Sequence, residues 1–323
     1  MRNVLLTILL VFGATSCSIP AGVGQSASTV PTSSTSTVNP TVVPTTLVTP
    51  TKQPERWKII FESDREGMFS IYQMNSDGSN VEKITPDGLA AISPSLHPDG
   101  QQLLFIAKKQ LFILDLKDRS SRQITTDKIY RSNPAWSPNG DEIVYVSRGS
   151  KGDELHIMSI DGSYDTTIFS VTRPLNQIMM PTWSPDGQRL AFMAKPNGLW
   201  DVIVVDRDGA NVEQLTTDPL NDWAPAWSPD GQFIAFASDR DDGLDPAIYR
   251  MNADGTDQQR ITEIGGNDTA PAWSSDGKML VFVSFRDKDK QGDIYRVQAD
   301  GSDLKKLTNE ADNWKPVWHR LYP

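Results

Sequence analysis

Five short apolar runs dominate the hydrophobic pattern of the chain. They occupy positions 103–107, 143–147, 190–194, 234–238 and 280–284, and they are apolar at almost every position rather than at every second one. An uninterrupted apolar run of this length is typical of a strand that is covered on both faces. The segments between the runs lack the sustained period of 3.6 residues that marks an amphipathic helix. The pattern therefore predicts an all-β protein.

A sequence marker precedes each apolar run and shows that the chain is repetitive. The pattern Pro-x-Trp-Ser followed by Pro-Asp-Gly, or a close variant of it, begins at Pro134, Pro181, Pro225 and Pro271. Degenerate copies begin at Pro94 and Pro316. The Trp position of the marker falls at 96, 136, 183, 227, 273 and 318, so the spacings lie between 40 and 47 residues. A period in this range indicates a repeat architecture of six units.

Each unit contains signals for four short strands. The marker supplies a first strand and a turn, because Pro suits the second position of a β-turn and Gly the fourth. The apolar run is the second strand, and a third strand ends in Asp-Gly, as at 254–255 and 300–301. A short outer strand carries Ile-Thr or Leu-Thr. Six such units predict a six-bladed β-propeller of four-stranded antiparallel blades, whereas a β-sandwich would not require a sixfold repeat.

The phase of the repeat predicts how the ring closes. The first apolar segment, 57–63, is a second strand, and the last marker, 316–319, is a first strand. The two ends of the domain must then share one blade. We expect the C-terminal strand to complete the blade formed by residues 57–88.

These repeats resemble the TolB-like β-propeller repeat, a WD-repeat-like unit that also occurs in the propellers of prolyl oligopeptidase-type enzymes. The resemblance covers about residues 57–323 and includes the Trp-Ser-Pro-Asp-Gly, Ser-Asp-Arg (63–65 and 238–240) and Asn-Ala-Asp-Gly elements. TolB itself carries an α/β domain before its propeller, where this chain has a different N-terminal segment, so the resemblance does not imply membership of the Tol-Pal system. The peptidases carry a hydrolase domain, for which we expect no room here.

The N-terminal segment reads as an export signal followed by a tether. Arg2 precedes an apolar run at 4–13 that is too short to span a bilayer, and small residues lead to Cys17, the single cysteine. This order resembles a bacterial lipobox, with Ala14 in place of the usual Leu, and predicts a lipoprotein signal peptide at 1–17 and lipid attachment at Cys17. The alternative is an ordinary secretory signal with an idle cysteine. Residues 18–55 are rich in Ser, Thr and Pro and predict a disordered tether, so the propeller occupies 56–323 and faces the periplasm or the exterior from the cell membrane or outer membrane.

Composition and motifs argue against several functions. The net charge of −10 disfavours a nucleic-acid partner, and one cysteine excludes an intrachain disulfide and a cysteine-based zinc site. There is no Gly-x-Ser-x-Gly motif, and we assign the three histidines, His97, His156 and His319, to packing. The acidic segment 239–245 lacks the Glu that an EF-hand loop needs at its twelfth position, where Arg250 stands. We expect no catalysis, no cofactor and no metal ion.

A binding site should lie where the six copies differ at exposed positions, because packing and turns explain the positions where they agree. The residue two positions before the marker proline is different in each repeat, except that two repeats share Trp. We expect these six residues to surround the mouth of the central channel. Together with two neighbouring residues, the predicted binding rim is Ile92, Tyr130, Arg131, Met179, Trp223 and Trp314. Such an apolar, aromatic rim favours an envelope protein or peptide as partner of a monomeric propeller. Alternatives are blade packing, a carbohydrate stacked on the tryptophans, and a propeller hydrolase or lyase.

Overall fold

The computed structural model describes residues 57–149, 151–172, 177–241, 243–287 and 291–320, and every regular element in these ranges is a β-strand. The 24 strands form six separate four-stranded antiparallel sheets. The lipid-attachment site predicted at Cys17 and the predicted tether lie outside the described residues. In the described part of the chain, no helix is long and apolar enough to cross a membrane.

In chain order the strands are β1 (Trp57–Ser63), β2 (Ser70–Asn75), β3 (Glu82–Lys83), β4 (Ile92–Leu96), β5 (Gln102–Ala107), β6 (Gln110–Asp115), β7 (Ser121–Gln123), β8 (Arg131–Trp136), β9 (Glu142–Arg148), β10 (Asp153–Ser159), β11 (Asp165–Ser170), β12 (Ile178–Trp183), β13 (Arg189–Ala194), β14 (Asp201–Asp206), β15 (Glu213–Gln214), β16 (Asp222–Trp227), β17 (Phe233–Ser238), β18 (Ala247–Asn252), β19 (Gln259–Arg260), β20 (Asp268–Trp273), β21 (Met279–Ser284), β22 (Asp293–Gln298), β23 (Lys305–Lys306) and β24 (Asn313–Arg320).

The six sheets are the blades of a propeller, and the ring closes as the sequence predicts. Blade 1 has the order β24-β1-β2-β3, and blades 2 to 6 each contain four consecutive strands, beginning with β4, β8, β12, β16 and β20. Strand β24 pairs antiparallel with β1, with Trp318 opposite Ile59 and His319 opposite Lys58. Each inner strand contacts the inner strands of the two neighbouring blades, and β24 contacts both β4 and β20. The predicted six-bladed fold and its closure are confirmed.

The core lies between the blades rather than within one of them. In β1, Ile59 and Phe61 pack against blade 6, whereas Ile60, on the opposite face, packs against blade 2. All three side chains are fully buried. Because successive side chains of a strand point to opposite faces, a strand between two neighbours must be apolar at every position. This explains the uninterrupted apolar runs.

The repeated threonine lies two residues after the outer strand of its blade, and its hydroxyl binds the backbone of the third strand. Oγ1 of Thr262 accepts the backbone N–H of Ile248 at 2.9 Å, and Oγ1 of Thr308 accepts the N–H of Ile294 at 2.9 Å. Thr85, Thr125 and Thr216 make the same bond in their blades. Each threonine therefore satisfies a buried donor that would otherwise have no acceptor at the edge of a two- or three-residue strand.

The antiparallel order gives the propeller two different ends. We call one end the loop face, which carries the connections from the second to the third strand of each blade, such as 64–69, and the connections between blades, such as 217–221. The opposite end is the turn face, which carries the Ser-Pro-Asp-Gly turns and the Asp-Gly turns. The inner strands begin at the loop face.

Candidate functional site

A cavity of about 350 Å³ lies on the axis of the ring, and its wall consists of residues from all six inner strands. The six marker prolines are part of this wall. An inner strand pairs on one side only, so its other edge faces the cavity. Proline has no N–H to offer there and is the residue that natural sheets tolerate at an edge. The repeated proline therefore belongs to the cavity wall.

The residue before each marker proline also lines the cavity, and its backbone is unusual. These six residues, which we call the cavity ring, have positive φ angles between 46° and 57° although none is glycine. The cavity ring is Ser93, Asn133, Met180, Ala224, Ala270 and Lys315. In every blade the pairing register shifts at this point, which marks a β-bulge. The bulge re-aims the side chain of the ring residue.

The bulge separates the cavity wall from the residues that the sequence analysis places around the mouth of the channel. The predicted residues lie two positions before the proline, and none of them is part of the described cavity wall. Ile92 packs instead into the cluster between blades 2 and 3, and Trp223 packs into the cluster between blades 5 and 6. Nε1 of Trp223 donates to Oγ1 of Thr269 in the next blade at 2.8 Å. The sequence does not reveal the positive φ angle of the next residue, the cavity-ring residue, because that residue is not a glycine.

The other members of the predicted rim differ in their exposure. Trp314 is partly buried and its ring lies 5.2 Å from that of Phe285. Met179 is partly buried beside Met193, its partner in the sheet. These side chains, like that of Trp223, lie at the loop face but combine packing with limited access to solvent.

Arg131 does not meet the expectation of an exposed rim residue, because it is 3% exposed. Its guanidinium donates to both carboxylate oxygens of Asp127 and stacks over the ring of Tyr145, with 5.1 Å from Cζ to the ring centroid. Tyr130 beside it is partly buried, and Lys109 and Arg148 both lie within 6 Å of its ring. The contact of Arg131 with Tyr145 lies within blade 3, and the contact of Lys109 with Tyr130 links blades 2 and 3.

Exposed apolar side chains occur at both ends of the propeller, but for different reasons. On the turn face, Val81, Val212 and Leu304 occupy the same repeat position, three residues after the glycine of an Asp-Gly turn. On the loop face, the exposed residues occupy positions that the repeat does not share. We group the exposed residues of blades 5, 6 and 1 with three partly buried aromatic residues and call this set the apolar arc. Its exposed members are Leu244, Ile264 and Met68, and its aromatic members are Trp223, Phe285 and Trp314.

The polar side chains of the cavity ring lie on one half of it. Lys315, Ser93 and Asn133 belong to the consecutive blades 1, 2 and 3, and the opposite half consists of a methionine and two alanines. Lys315 is the single charged residue in the described cavity wall. Its ammonium donates to Oγ of Ser93 at 2.7 Å. The cavity thus has a cationic, polar side and an apolar side.

Behind this polar half lies a second charged residue that the repeat does not predict. Glu62 of β1 is 6% exposed and stands where the other blades have apolar residues or alanine. Its Oε1 accepts the backbone N–H of Ser93 at 2.6 Å. Burial raises the pKa of the Glu62 carboxyl, and the Lys315 ammonium opposes that shift. Burial likewise lowers the pKa of Lys315, and Glu62 opposes it. The sequence analysis missed both residues, although a charge in one copy of an otherwise apolar repeat position is a usable signal.

Asn133 completes the polar half of the ring. It is 8% exposed, lines the cavity, and its Oδ1 has no hydrogen-bond partner in the described residues. Asparagine tolerates a positive φ better than most residues, which accounts for its presence at this backbone position. It does not account for a buried amide atom without a partner, which costs about 1–3 kcal/mol.

The arginines of the Ser-Asp-Arg elements make hydrogen bonds and ring contacts within the blades. Nε of Arg240 donates to Oγ of Ser238 at 2.8 Å, and its Nη2 lies 2.7 Å from Oδ1 of Asp222 and 2.9 Å from Oδ2 of Asp218. The guanidinium also stacks over the ring of Tyr249 at 4.8 Å. Burial, and then the neighbouring Asp218, raise the pKa of Asp222 to about 7. Arg65 and Arg286 make analogous contacts in blades 1 and 6.

Two of the histidines bond to the next blade. Nε2 of His97 lies 3.3 Å from the carbonyl oxygen of Gly140, and Nε2 of His319 lies 3.0 Å from that of Gly100. Both glycines end a marker turn, so these histidines, which replace the marker serine, link adjacent blades. Burial lowers the pKa of His319.

The third histidine takes part in a relay that the sequence analysis did not foresee. Oγ of Ser147 lies 3.1 Å from Nε2 of His156, and Nδ1 of His156 lies 3.1 Å from Oδ1 of Asp165. This is the connectivity of a Ser-His-Asp triad. However, Ser147 is 5% exposed, and Oε2 of Glu154 competes for the same Nε2 at 3.2 Å. The imidazole also stacks on Tyr145 at 5.0 Å, so the relay ties the strands of blade 3 together.

The acidic segment 239–245 already uses its described carboxylates in protein contacts. Asp239 accepts two hydrogen bonds from Asn221, at 2.6 and 3.0 Å, and Asp241 pairs with Arg260 at 2.8 Å. Within the described ranges, no group of three or more His, Cys, Asp or Glu side chains is arranged to hold a metal ion.

Comparisons with known proteins agree with this fold. The TolB beta propeller domain matches residues 33–174 and again 169–320. A Protein TolB homolog of Chlorobium luteolum is 28% identical over 153 residues, which are 46% of this chain and 34% of that protein. The Tol-Pal system protein TolB of Francisella tularensis is 31% identical over 136 residues, which are 39% of this chain and 31% of that protein. The match thus spans about a third of the length of these relatives.

Solved structures share the fold at low sequence identity. TolB from Acinetobacter baumannii has a TM-score of 0.70 at 16% identity, covering 81% of this chain and 66% of its own. The putative TolB from Agrobacterium tumefaciens has a TM-score of 0.66 at 20% identity, covering 84% and 100%. An oligogalacturonate lyase in complex with manganese has a TM-score of 0.58 at 15% identity, covering 78% and 74%. These likenesses concern the fold alone, whereas the match to the domain model covers most of the chain. The chain belongs to the TolB β-propeller family.

Proposed function

We propose that this protein is a non-enzymatic lipoprotein of the cell envelope whose loop face binds a protein or peptide. The observation that carries the proposal is the apolar arc. Its exposed members, Leu244, Ile264 and Met68, are 54%, 46% and 45% exposed, and no repeat rule explains them. Exposed apolar side chains beside aromatic ones are the composition of a protein-binding hot spot.

The comparisons support a protein partner and an exported location. The Francisella relative is named as a protein of the Tol-Pal system, a name that itself implies assembly with other proteins. The matched part is about a third of that relative, so the partner of this chain is proposed here from its own surface. A lipid anchor at Cys17 would hold the propeller at a membrane, with residues 18–55 as the tether.

Two observations favour a binding role over catalysis and over carbohydrate binding. The Ser147 hydroxyl of the relay in blade 3 is buried, so a substrate carbonyl has no access to it. Of the nine tryptophans, five are at most 8% exposed and the other four are partly buried, so none is as exposed as Leu244, Ile264 or Met68.

The experiment is affinity capture of envelope proteins with matched surface variants of the full chain. Ile264→Ser and Met68→Ser change the loop face, whereas Val212→Ser and Leu304→Ser remove side chains of similar exposure from the turn face. We expect the loop-face pair to lose the captured partner and the turn-face pair to keep it. Equal capture by all four variants would contradict the proposal, and binding of the parent to a glycan array with no protein captured would favour the carbohydrate alternative.

A further inference from the structure

We infer that the polar half of the central cavity is a binding site for a carboxylate group, held by the Lys315 ammonium and the Asn133 amide. Neither Lys315 nor Asn133 belongs to the apolar arc, and a small acid could occupy the site without any protein partner. Three observations carry the inference. They are the charge of the cavity wall, the unused hydrogen-bonding groups, and two charged residues that lie close together although the other blades have no charge at the same repeat positions.

The charge of the wall selects an anion. The protein carries a net charge of −10, yet the one formal charge in the described cavity wall is the positive charge of Lys315. Glu62, its nearest counter-charge, is 6% exposed behind Ser93 and does not line the cavity. A molecule in the cavity therefore meets an ammonium group first. One cation suits a monoanion such as a carboxylate better than a phosphate dianion, which would leave excess negative charge.

The unused groups supply the hydrogen bonds. An ammonium group has three N–H donors, and Lys315 uses one of them on Oγ of Ser93 at 2.7 Å. Among the described residues no second acceptor bonds to it. Asn133, two blades further along the ring, has a buried amide with an unpaired Oδ1, and a half-turn of that amide would present its two N–H donors instead. A carboxylate has two oxygens that accept several hydrogen bonds, and so it can serve both residues.

The repeats disagree at these positions in a correlated way. The cavity-ring residue of blade 1 is the only lysine of the ring, and Glu62 is the only charged residue at its own repeat position. In blade 4 the equivalent of Glu62 is Met193, whose sulfur contacts the N–H of Ala224 at 3.4 Å. The backbone N–H of a ring residue therefore does not need a carboxylate as its neighbour. Packing and turn rules do not require either charge.

The backbone of the cavity wall limits how an occupant is held. Proline stands on the cavity edge of all six inner strands, so a peptide could not add itself there as a further strand through proline N–H groups. Side chains must therefore bind the occupant, and the side chains of the polar half have the unused hydrogen-bonding groups described above.

The test is titration of the full chain with acetate, followed by the NMR signal of the Lys315 side chain after ¹³Cε-lysine labelling and assignment with Lys315→Arg. We expect the signal to shift saturably with a dissociation constant in the millimolar range, because a single charge-assisted contact binds weakly. Lys315→Met removes the lysine signal itself, so acetate binding by the variants is followed through the side-chain amide signal of Asn133. Lys315→Met should abolish the saturable shift of that amide, and the exposed control Lys305→Met should leave it unchanged. Glu62→Gln keeps an acceptor for the Ser93 N–H but removes the competing carboxylate, so it should tighten acetate binding several-fold.

Two tetraalanine peptides, one with a free C-terminal carboxylate and one with a C-terminal amide, distinguish the source of the carboxylate. Tighter binding of the free acid by about tenfold would support a chain terminus as ligand. Binding of acetate without either peptide would support a small acid. The inference is overturned if acetate gives no saturable shift, if its binding survives Lys315→Met, or if both peptides displace acetate with the same affinity. None of these three results affects the capture experiment on the loop face.

Discussion

Nη2 of Arg65 donates a hydrogen bond to Oδ1 of Asn313 at 3.1 Å, across 248 residues of sequence. Arg65 follows the first strand of the propeller and Asn313 begins the last, so the bond lies at the closure of the ring. The N–H of Asp312 also donates to Oδ1 of Asp64 at 3.0 Å. These contacts add to the backbone ladder between β1 and β24.

Deletion of residues 314–323 should therefore abolish cooperative unfolding. The deletion removes most of the inner strand of blade 1 and leaves the apolar faces of blades 2 and 6 without a neighbour. The measurement is thermal unfolding followed by circular dichroism. A sharp transition at the temperature of the parent would show that closure contributes little to stability.

Ala224→Gly should raise the free energy of unfolding by up to about 1 kcal/mol, because alanine pays for a left-handed backbone that glycine adopts freely. The φ angle of Ala224 is 53°. Ala226→Gly is the matched control: Ala226 lies two residues further along the same strand and does not share the positive φ. The control should lower the free energy by about 0.5–1 kcal/mol. Urea denaturation measures both, and a change of the same sign in the two variants would contradict the prediction.

Asp222→Asn should remove a pH dependence of stability. Burial and Asp218 raise the pKa of Asp222 to about 7, so between about pH 4 and pH 7 the folded protein binds a proton that the unfolded chain releases. The stabilisation is complete at low pH and is lost as the pH rises through about 7; it amounts to at most roughly 4 kcal/mol.

Melting temperatures across that pH range test this prediction. We expect a smaller fall of the melting temperature with rising pH in Asp222→Asn than in the parent. Asp300→Asn is the control, because Asp300 is exposed and hydrogen bonds from Ser302 lower its pKa, so that it cannot produce a loss of stability as the pH rises. Parallel curves for Asp222→Asn and the parent would refute the assignment.

Thr262→Val should lower the free energy of unfolding by about 1–3 kcal/mol, since it leaves the buried N–H of Ile248 without its acceptor. Thr166→Val, on the exposed strand β11, should change the stability by less than about 0.5 kcal/mol. Chemical denaturation compares the two. A loss of similar size in both variants would show that the hydroxyl of the repeated threonine is not what matters.

Most of the fold could be predicted from the sequence, because the residues that build it are repeated. The marker prolines, the apolar runs and the phase of the repeat give the blade number and the shared blade. The backbone of the cavity ring could not be predicted, since Ala224 and Lys315 adopt positive φ angles that neither residue type signals. Because of that one-residue bulge, Ala224 and not Trp223 is part of the cavity wall.

The candidate site was harder to predict than the fold for a related reason. Arg131 looks like a surface cation in the sequence, but its position opposite Asp127 and Tyr145 depends on how blade 3 folds. Glu62 and Lys315 are 253 positions apart, and their proximity follows only from ring closure. Charges that differ from the repeat are visible in the sequence, but their meeting in space is not.

The bulge before each proline separates two tasks that a β-strand usually combines. The residue two positions before the proline packs within its blade or against a neighbouring blade, as Met179, Trp223 and Trp314 show, whereas the residue one position before it faces the cavity. Substitution at the six cavity-ring positions can therefore proceed with little effect on the packing between blades. A single scaffold of this kind could change its ligand preference through the cavity-ring residues alone, and relatives with the same blades need not share a ligand.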